Sequence, residues 1–467
     1  MNTFVNAVAN QEARTANGMK ARASTANACV DLFYNIGASR GKNIIPAFVA
    51  AYVENREVAL RIAQWSRDIR GGAGERQLYR DIMRYLELNA PADAKVLASK
   101  VQTVGRFDDL LGFSTKEVQE FAFSILKREL LAGNALAAKW CPRKGAVANA
   151  LRTYLGWSPK FYRKTLVGLT QVVETQMCAK QWDEINFSHV PSVAHARYKT
   201  AFNRNTTKYA DYVAALVKGD DPSVKVNANA IYPYDVIKGV NSYGLSKTEL
   251  DLVAKQWEAL PNYVGDASIL PMVDVSGSME CSAGGSSTTC MDVAISLGLY
   301  LADKNKGVFK DTFLTFSSKP ELVTLKGTIV QKLQTMSNSS WGMSTNLSAA
   351  MQKILDVAVN GNVSQEQMPK TLLILSDMQF DRCVFYDDSA VQMIQRKFEA
   401  AGYEVPQIVF WNLNASGNAP VAFDSKGAAL VSGFSPAIMT AILANDTDQL
   451  SPESIMLKAV MLERYDV

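Results

Sequence analysis

Three separate segments of this 467-residue chain carry oxygen-bearing side chains of the kind that bind hard divalent cations. The segment DVSGS (274–278) has the pattern DxSxS, SSWGMSTNL (339–347) supplies a threonine, and LILSDMQF (373–380) supplies a second aspartate. The hydroxyls can bind a cation directly, and the two carboxylates can hold its water molecules. Such a donor set favours Mg²⁺, with Mn²⁺ or Ca²⁺ as alternatives. The predicted metal ligands are Asp274, Ser276, Ser278, Thr345 and Asp377.

These segments alternate with elements typical of a doubly wound α/β domain. Apolar runs at 269–276, 312–317, 371–377 and 406–413 predict buried strands, and helical patterns fall at 291–305, 346–358, 389–402 and 435–445. Strands that alternate with helices indicate a mostly parallel sheet. Since such sheets bind ligands at the carboxyl ends of their strands, the predicted metal ligands should meet at one edge.

With its DxSxS, Thr345 and Asp377 positions, this C-terminal part resembles the von Willebrand factor A (vWA) domain with its metal-ion-dependent adhesion site (MIDAS). In that family the metal keeps one open coordination position, which a partner's carboxylate commonly fills. The resemblance therefore implies partner binding through the metal. It does not decide whether this site holds a functional metal, a structural one or none.

The sequence offers no recognisable catalytic group beside these residues. His189 and His195, the two histidines of the chain, have no Cys or His neighbour at metal-ligand spacing. GASRGKN (37–43) is similar to a phosphate-binding loop, but it has three residues between its glycines and Asn43 where Mg²⁺ binding needs Ser or Thr. The six cysteines form no CxxC pair, which favours reduced thiols in the cytoplasm. Cys281 and Cys290 could close the segment ECSAGGSSTTC (280–290), but a flexible loop with two free thiols is the expectation. We therefore predict a protein that is not an enzyme.

Residues 1–255 show helical periodicity throughout, as in the stretches at 44–70, 75–89 and 245–260, the last with Ser246 as N-cap and Glu249 three residues later. Short turns between helices suggest a HEAT-like α-solenoid, curved or closed, whose two ends meet near the C-terminal domain. We expect two domains, a helical one at 1–260 and an α/β one at 261–467. No apolar run is long enough to span a membrane.

The net charge of +4 hides an asymmetry between the two halves. Residues 1–266 carry 35 Lys and Arg against 25 Asp and Glu, whereas residues 267–467 carry 14 against 20. A basic helical half can attract a polyanion, although a mild bias alone does not require one. Several of its cations lie beside glycines or aromatic residues, which suits phosphate contact and base stacking. The candidate RNA-binding residues are Arg67, Arg70, Arg76, Arg106, Lys139, Arg143, Lys144, Arg163 and Lys164. Some of these arginines are expected to form buried ion pairs with Asp68, Glu75, Asp108 or Asp109 instead, and Trp140 is expected in the core.

At these residues a second resemblance is present. RDIRGGAGER (67–76), GRFDDLL (105–111), LAAKWCPRK (136–144) and the stretch from YRKTL (162–166) to AFNR (201–204) are similar to the TROVE module of Ro ribonucleoproteins, in its bacterial, phage and plant branch. In Ro proteins the helical repeats form a ring that the vWA domain completes. Single-stranded RNA ends enter its basic hole, and small structured RNAs bind outside. The resemblance implies RNA binding by this chain.

The sequence thus predicts a cytoplasmic, non-enzymatic RNA-binding protein whose metal-bearing vWA domain recruits a protein partner. One alternative is a protein-interaction scaffold, in which the metal binds an acidic residue of a partner without RNA. Another is a chelatase-like adaptor that serves a separate ATPase. An oligomeric ring is left undecided.

Overall fold

The computed structural model describes residues 13–238, 240, 245–283, 288–339, 345–380, 390–415, 418–422, 424–443 and 450–467. Up to residue 258 the described chain is mainly helical, in agreement with the sequence pattern. The helices of this part are α1 (Ala28–Ile36), α2 (Ile45–Glu54), α3 (Arg56–Arg67), α4 (Arg76–Asn89), α5 (Pro91–Ser99), α6 (Val101–Val104), α7 (Lys116–Leu131), α8 (Ala135–Trp140), α9 (Ala146–Leu155), α10 (Pro159–Leu169), α11 (Val173–Cys178), α12 (Ser192–Asn205), α13 (Lys208–Lys218), α14 (Pro233–Ile237) and α15 (Lys247–Glu258).

Local capping explains where several of these helices begin. The predicted cap of α15 is confirmed, because the Ser246 hydroxyl accepts from the Glu249 N–H and the Glu249 carboxylate accepts from the Ser246 N–H. The stretch at 44–70, which shows helical periodicity throughout, is divided into two helices. Asn55 has extended backbone (φ −150°) and its side chain accepts from the Val58 N–H, so it ends α2 and starts α3.

The C-terminal half contains, within the described residues, a six-stranded sheet that follows a short N-terminal hairpin of β1 (Ala13–Arg14) and β2 (Lys20–Ala21) in the chain. Its strands are β3 (Ile269–Val273), β4 (Thr312–Thr315), β5 (Leu322–Thr324), β6 (Thr371–Ser376), β7 (Gln407–Asn412) and β8 (Ala428–Ser432). Their order across the sheet is β5-β4-β3-β6-β7-β8. Neighbouring strands are parallel except β4 and β5, which are antiparallel. Sequence reading found the four central strands and missed β5 and β8.

Helices cover both faces of this sheet, as expected for a doubly wound domain. They are α16 (Cys290–Lys304), α17 (Ile329–Ser337), α18 (Leu347–Asn360), α19 (Ala390–Ala400), α20 (Met439–Leu443) and α21 (Pro452–Val460). The predicted helices at 389–402 and 435–445 extend partly into residues outside those described. Among the described helices, none is long and apolar enough to cross a membrane.

The period of two along the strands divides their side chains between two cores. Leu372, Ile374 and Phe410 point to a core built with α18 and α19, whereas Leu375 and Trp411 point to the opposite face. That second face shares one continuous apolar cluster with the helical half, including residues of α1, α3 and α21. The two halves therefore share one hydrophobic core.

Both ends of the helical half lie on the C-terminal half, as the sequence predicts. At one end α1 packs against β8, and at the other α14 packs against α16. The segment between α3 and α4 also contacts the C-terminal end of the helical half, since the Tyr232 hydroxyl donates to the Ala73 carbonyl at 3.0 Å.

The expectation of helix from residue 1 was wrong for residues 13–21, and residues 1–12 lie outside the described chain. A short antiparallel hairpin of β1 (Ala13–Arg14) and β2 (Lys20–Ala21) precedes α1. It packs on the C-terminal half, because Arg22 pairs with Ala419 and the Thr15 hydroxyl donates to the Phe380 carbonyl at 2.6 Å.

Candidate metal centre and basic surface

The two predicted metal-binding aspartates follow neighbouring parallel strands at the same edge of the sheet. Asp274 comes directly after β3 and Asp377 directly after β6. The Asp274 carboxylate accepts from the Ser376 hydroxyl at 2.5 Å and from the Ser276 N–H at 2.9 Å. Parallel pairing of the two strands therefore brings residues a hundred positions apart into one site.

The three predicted hydroxyls lie at this edge as well. The Ser276 and Ser278 hydroxyl oxygens are 3.1 Å apart, and Ser278 donates to the Asp377 carboxylate. Thr345 donates to the Gln379 carbonyl at 3.0 Å, while the Gln379 N–H donates to Asp377 at 3.2 Å. All five predicted ligands thus belong to one hydrogen-bonded group.

Backbone strain marks the turn that carries Asp377. The next residue, Met378, has φ +65°, in the left-handed region that side chains other than glycine seldom adopt. Its N–H donates to the Ser376 hydroxyl at 3.0 Å. Such strain persists where the surrounding structure fixes it, and it is common at functional sites.

The site combines burial with an excess of negative charge. Asp274 is completely buried and Asp377 is 2% exposed. Burial raises the pKa of Asp274 to about 6, opposed by its Ser376 and Ser276 donors and assisted by the charge of Asp377. Burial also raises the pKa of Asp377, against the lowering effects of Ser278, the backbone and Lys42. Two adjacent buried carboxylates with hydroxyls beside them fit a hard cation, which would neutralise them and use the hydroxyl oxygens as ligands.

Lys42 at this edge is a residue that sequence reasoning missed. Its ammonium donates to the Asn414 side chain at 2.8 Å and to the Ala415 carbonyl at 2.5 Å, just after β7. The loop that carries Lys42 reaches this edge of the sheet because Gly37 packs closely against β8. A Cβ at Gly37 would lie only 2.6 Å from the Ser432 carbonyl oxygen. The segment 37–43 lacks the spacing of a phosphate-binding loop, but its lysine, Lys42, lies at the candidate metal centre.

Arg67 was predicted to contact RNA, but the structure places it in a buried ion pair. Its side chain is buried and its Nε lies 2.8 Å from the Asp109 carboxylate. Arg80 reaches the other oxygen of Asp109 at 2.7 Å. This confirms the expectation that some arginines in these segments form internal ion pairs, and it makes Arg67 structural.

Two other predicted cations lie over the ring of Trp140. The Arg106 guanidinium lies 3.6 Å from the ring centroid and also pairs with Asp108. The Lys139 ammonium lies 5.4 Å from the same ring and 3.9 Å from Glu174. Trp140 itself is half-buried, so it closes the edge of the core and presents part of its surface outwards.

The remaining predicted cations are exposed: Arg70, Arg76, Arg143, Lys144, Arg163 and Lys164. Burial, together with the nearby charges of Arg106 and Arg80, lowers the pKa of Arg76. Four of the others gather where the loop after α8 meets α10. There Tyr162 donates to the Pro142 carbonyl at 2.9 Å and Arg143 donates to the Thr170 hydroxyl at 2.8 Å.

Beside these cations lies Phe161, which is 53% exposed and makes an edge contact with Trp157 at 5.0 Å between ring centroids. We call Arg143, Lys144, Phe161, Arg163 and Lys164 the α10 surface. Within the described part of the chain, the structure shows no ion pair for its four cations. An exposed aromatic ring among uncompensated cations is a suitable surface for an unpaired polyanionic strand.

The protein therefore combines two parts. One is a doubly wound α/β domain with a hydroxyl–carboxylate cluster at one edge of its sheet, and the other is a helical region with a basic face. Residues 268–462 match the family described as "Domain of unknown function (DUF7788)". Residues 15–105 and 147–270 match "Domain of unknown function (DUF2828)". The chain is 32% identical to "Uncharacterized protein L728" of Acanthamoeba polyphaga mimivirus over 516 positions, which cover 97% of this chain and 87% of that protein. The chain belongs to the same family as this viral protein.

Among solved structures, the chain is similar to one described as "Crystal structure of Deinococcus radiodurans RO (RSR) protein". The similarity covers 93% of this chain and 99% of that one, with 13% sequence identity and a TM-score of 0.46.

Proposed function

We propose that this protein is a non-enzymatic RNA-binding protein of Ro type, which holds single-stranded or small structured RNA on the basic face of its helical half. The observation that carries the proposal is the α10 surface, where two exposed cations and exposed Phe161 lie on α10 and two more exposed cations lie on the loop packed against it. Cations there would contact phosphates, and the ring of Phe161 would stack on a base. Such contacts discriminate poorly between bases, so sequence preference should be weak.

The helical half, in this proposal, forms a HEAT-like ring that a vWA-type C-terminal domain completes. Support comes from the packing of both helical ends on the C-terminal half and from the direct contact between Tyr232 and Ala73. Arg76 and Arg106 would extend the basic face towards α4.

RNA binding is tested by fluorescence anisotropy with labelled oligouridine at about 50 and 200 mM salt. Affinity should fall steeply with salt, with a slope of roughly −0.7 per phosphate contact. The double variant Arg143→Glu with Lys144→Glu should bind at least about tenfold more weakly, with a shallower salt slope.

The matched control is Lys319→Glu with Lys326→Glu, which makes the same charge change at exposed positions of the C-terminal half. It should bind RNA like the wild type. Wild-type protein that retains no RNA even at 50 mM salt would refute the RNA proposal. Equal binding by both double variants would reject the α10 surface as its location.

We further propose that Asp274, Ser276, Ser278, Thr345 and Asp377 bind one Mg²⁺-type ion. Ser278 is exposed while the other four ligands are buried, so a cation here would keep one side open to solvent or to a partner's carboxylate. When bound, the ion would supply a positive charge that recruits an acidic group. Lys42 interacts electrostatically with Asp377 and would add to that charge.

Cation binding is tested by thermal unfolding and calorimetry with added Mg²⁺. A bound ion stabilises the folded state by mass action, so Mg²⁺ should raise the Tm of the wild type. Asp274→Asn should abolish this increase, whereas Asp266→Asn, at an exposed position, should preserve it. An equal response of wild type and Asp274→Asn would contradict the assignment.

The alternative is a protein-interaction scaffold, in which the metal binds an acidic residue of a partner and no RNA is involved. It predicts a protein purified without nuclease that carries no nucleic acid, yet captures an acidic protein in a Mg²⁺-dependent manner. The ratio of absorbance at 260 and 280 nm of the purified protein distinguishes the two cases.

A further inference from the structure

The thiols of Cys281 and Cys290 lie side by side next to the candidate metal centre. Their sulfur atoms are 3.4 Å apart, and both cysteines are in the free form. Two backbone hydrogen bonds hold the segments together: the Cys290 N–H donates to the Cys281 carbonyl at 3.0 Å, and the Ala283 N–H donates to the Thr288 carbonyl at 2.8 Å. Short antiparallel pairing of the backbone therefore fixes the positions of the two cysteines relative to each other.

The two thiols differ in access. Cys290, the first residue of α16, is buried and donates to the Leu413 carbonyl at 3.3 Å. Cys281 is half-buried, and its sulfur accepts from the Asn414 side chain at 3.4 Å. Asn414 in turn accepts from Lys42, whose ammonium interacts electrostatically with both sulfurs. A small oxidant can therefore reach the half-buried Cys281 sulfur more readily than the buried Cys290 sulfur.

From this arrangement we propose that Cys281 and Cys290 form a reversible dithiol–disulfide modification site, oxidised by a small hydroperoxide and reduced by a dithiol. Nothing in the metal or RNA proposals requires this pair. The site would link the turn that carries Ser278 to the first residue of α16.

Oxidation proceeds in two steps. The Cys281 sulfur attacks the hydroperoxide, the O–O bond breaks, and a sulfenic acid forms with release of water or the corresponding alcohol. The Cys290 sulfur then displaces hydroxide from the sulfenic acid, which leaves as water with the thiol proton, and the S–S bond forms. The closing movement brings the sulfurs from 3.4 Å to about 2.05 Å, a small shift for neighbouring side chains. A dithiol reverses the modification and becomes a disulfide itself.

The experiment treats the reduced full-length protein with one equivalent of hydrogen peroxide, then alkylates and measures intact and peptide masses. The peptide that contains both cysteines should lose the mass of two hydrogens and accept no alkylating reagent. Exposed Cys178 provides a control within the chain, because it should stay reduced and still accept the alkylating reagent. Dithiothreitol should restore both alkylation sites.

Two variants separate the roles of the sulfurs. In Cys290→Ser the sulfenic acid on Cys281 should persist and be trapped by dimedone, whereas Cys281→Ser should give no dimedone adduct at Cys290. Wild-type and variant proteins with unchanged far-ultraviolet circular dichroism make the comparison valid. The proposal is overturned if Cys178 oxidises before the pair, or if both thiols stay alkylatable while peroxide is consumed.

Discussion

Arg67 and Arg163 carry the same guanidinium group in opposite surroundings. Arg67 is 6% exposed and paired with buried Asp109, whereas Arg163 is exposed on α10. Removing Arg67 would leave the Asp109 carboxylate short of a buried partner, which is costly, while changing Arg163 affects a solvated charge. For single residues of one type, burial decides which is part of the fold and which is free to bind.

His195 shows the same principle for a titratable group. It is completely buried among aromatic rings, stacked on Tyr212 with 5.6 Å between centroids and close to Phe202 and Tyr209. Among the residues that the structure describes, neither ring nitrogen has a hydrogen-bond partner. Burial lowers its pKa from 6.5 to about 4, so the folded protein holds this imidazole neutral.

We predict that His195 makes the protein sensitive to acid. In the unfolded chain this imidazole takes up a proton below about pH 6.5, whereas in the folded chain it does so near pH 4. The contribution of His195 to the free energy of unfolding is therefore complete above pH 6.5 and is lost as the pH falls towards 4. The loss from this residue should approach about 3 kcal/mol. Urea unfolding between pH 7 and 4.5 measures it.

His195→Phe keeps an aromatic ring at this position and should flatten that part of the pH profile. His189→Phe is the matched control, because it makes the same substitution at the other histidine, which is exposed rather than buried. An unaltered pH dependence in His195→Phe would show that other groups cause the loss.

At the scale of elements, Asn55 decides how the second and third helices are arranged. The apolar spacing over 44–70 continues through this residue, so periodicity alone cannot reveal the break. Its extended backbone turns the chain, and its side-chain oxygen accepts from the Val58 N–H at 3.1 Å. The turn lets α3 pack against both α2 and α4.

Replacement of Asn55 by Ala should lower the free energy of unfolding by about 1 kcal/mol, because the first turn of α3 loses its cap. Asn55→Asp should retain most of the stability, since aspartate caps as well as asparagine and its charge suits a helix N-terminus. Urea denaturation of the three proteins provides the measurement. Equal stability of the Ala variant and the wild type would mean that the tertiary contacts of α3 alone fix its start.

At the scale of the whole molecule, the last residues of the chain fasten the two halves together. Tyr465 is completely buried against α3, and its hydroxyl donates to Asp68 at 2.9 Å. Arg464 pairs with the same carboxylate at 2.7 Å, and the Gln64 side chain donates to the Tyr465 carbonyl at 3.0 Å. Since a common apolar core also spans both halves, they should unfold as one unit.

We predict that Tyr465→Ala destabilises the protein by about 4 kcal/mol, through the cavity left by a buried aromatic ring. Tyr465→Phe should cost about 1 kcal/mol, because Asp68 keeps its pairing with Arg464. Urea unfolding followed by fluorescence and circular dichroism should show coincident transitions in all three proteins. Two separate transitions in the wild type would show that the halves are independent.

Sequence patterns were sufficient to predict the helical and α/β halves, four of the strands, the cap at Ser246 and the five residues that meet at the candidate metal centre. These features are encoded locally, in the period of apolar residues and in short motifs at the ends of strands. Parallel neighbouring strands must end at the same edge, so the motif positions sufficed to bring Asp274 and Asp377 together.

Long-range contacts in the fold were needed to reveal the electrostatic interaction of Lys42 with Asp377, the burial of Arg67, the N-terminal hairpin on the C-terminal half and the pairing of Cys281 with Cys290. Each depends on a partner from elsewhere in the fold, and local periodicity reports only that a side chain is buried, not what it meets. Strand β8 was missed for a related reason: AALVS is short, and its partners in β7, α1 and α21 supply the packing that makes it a strand.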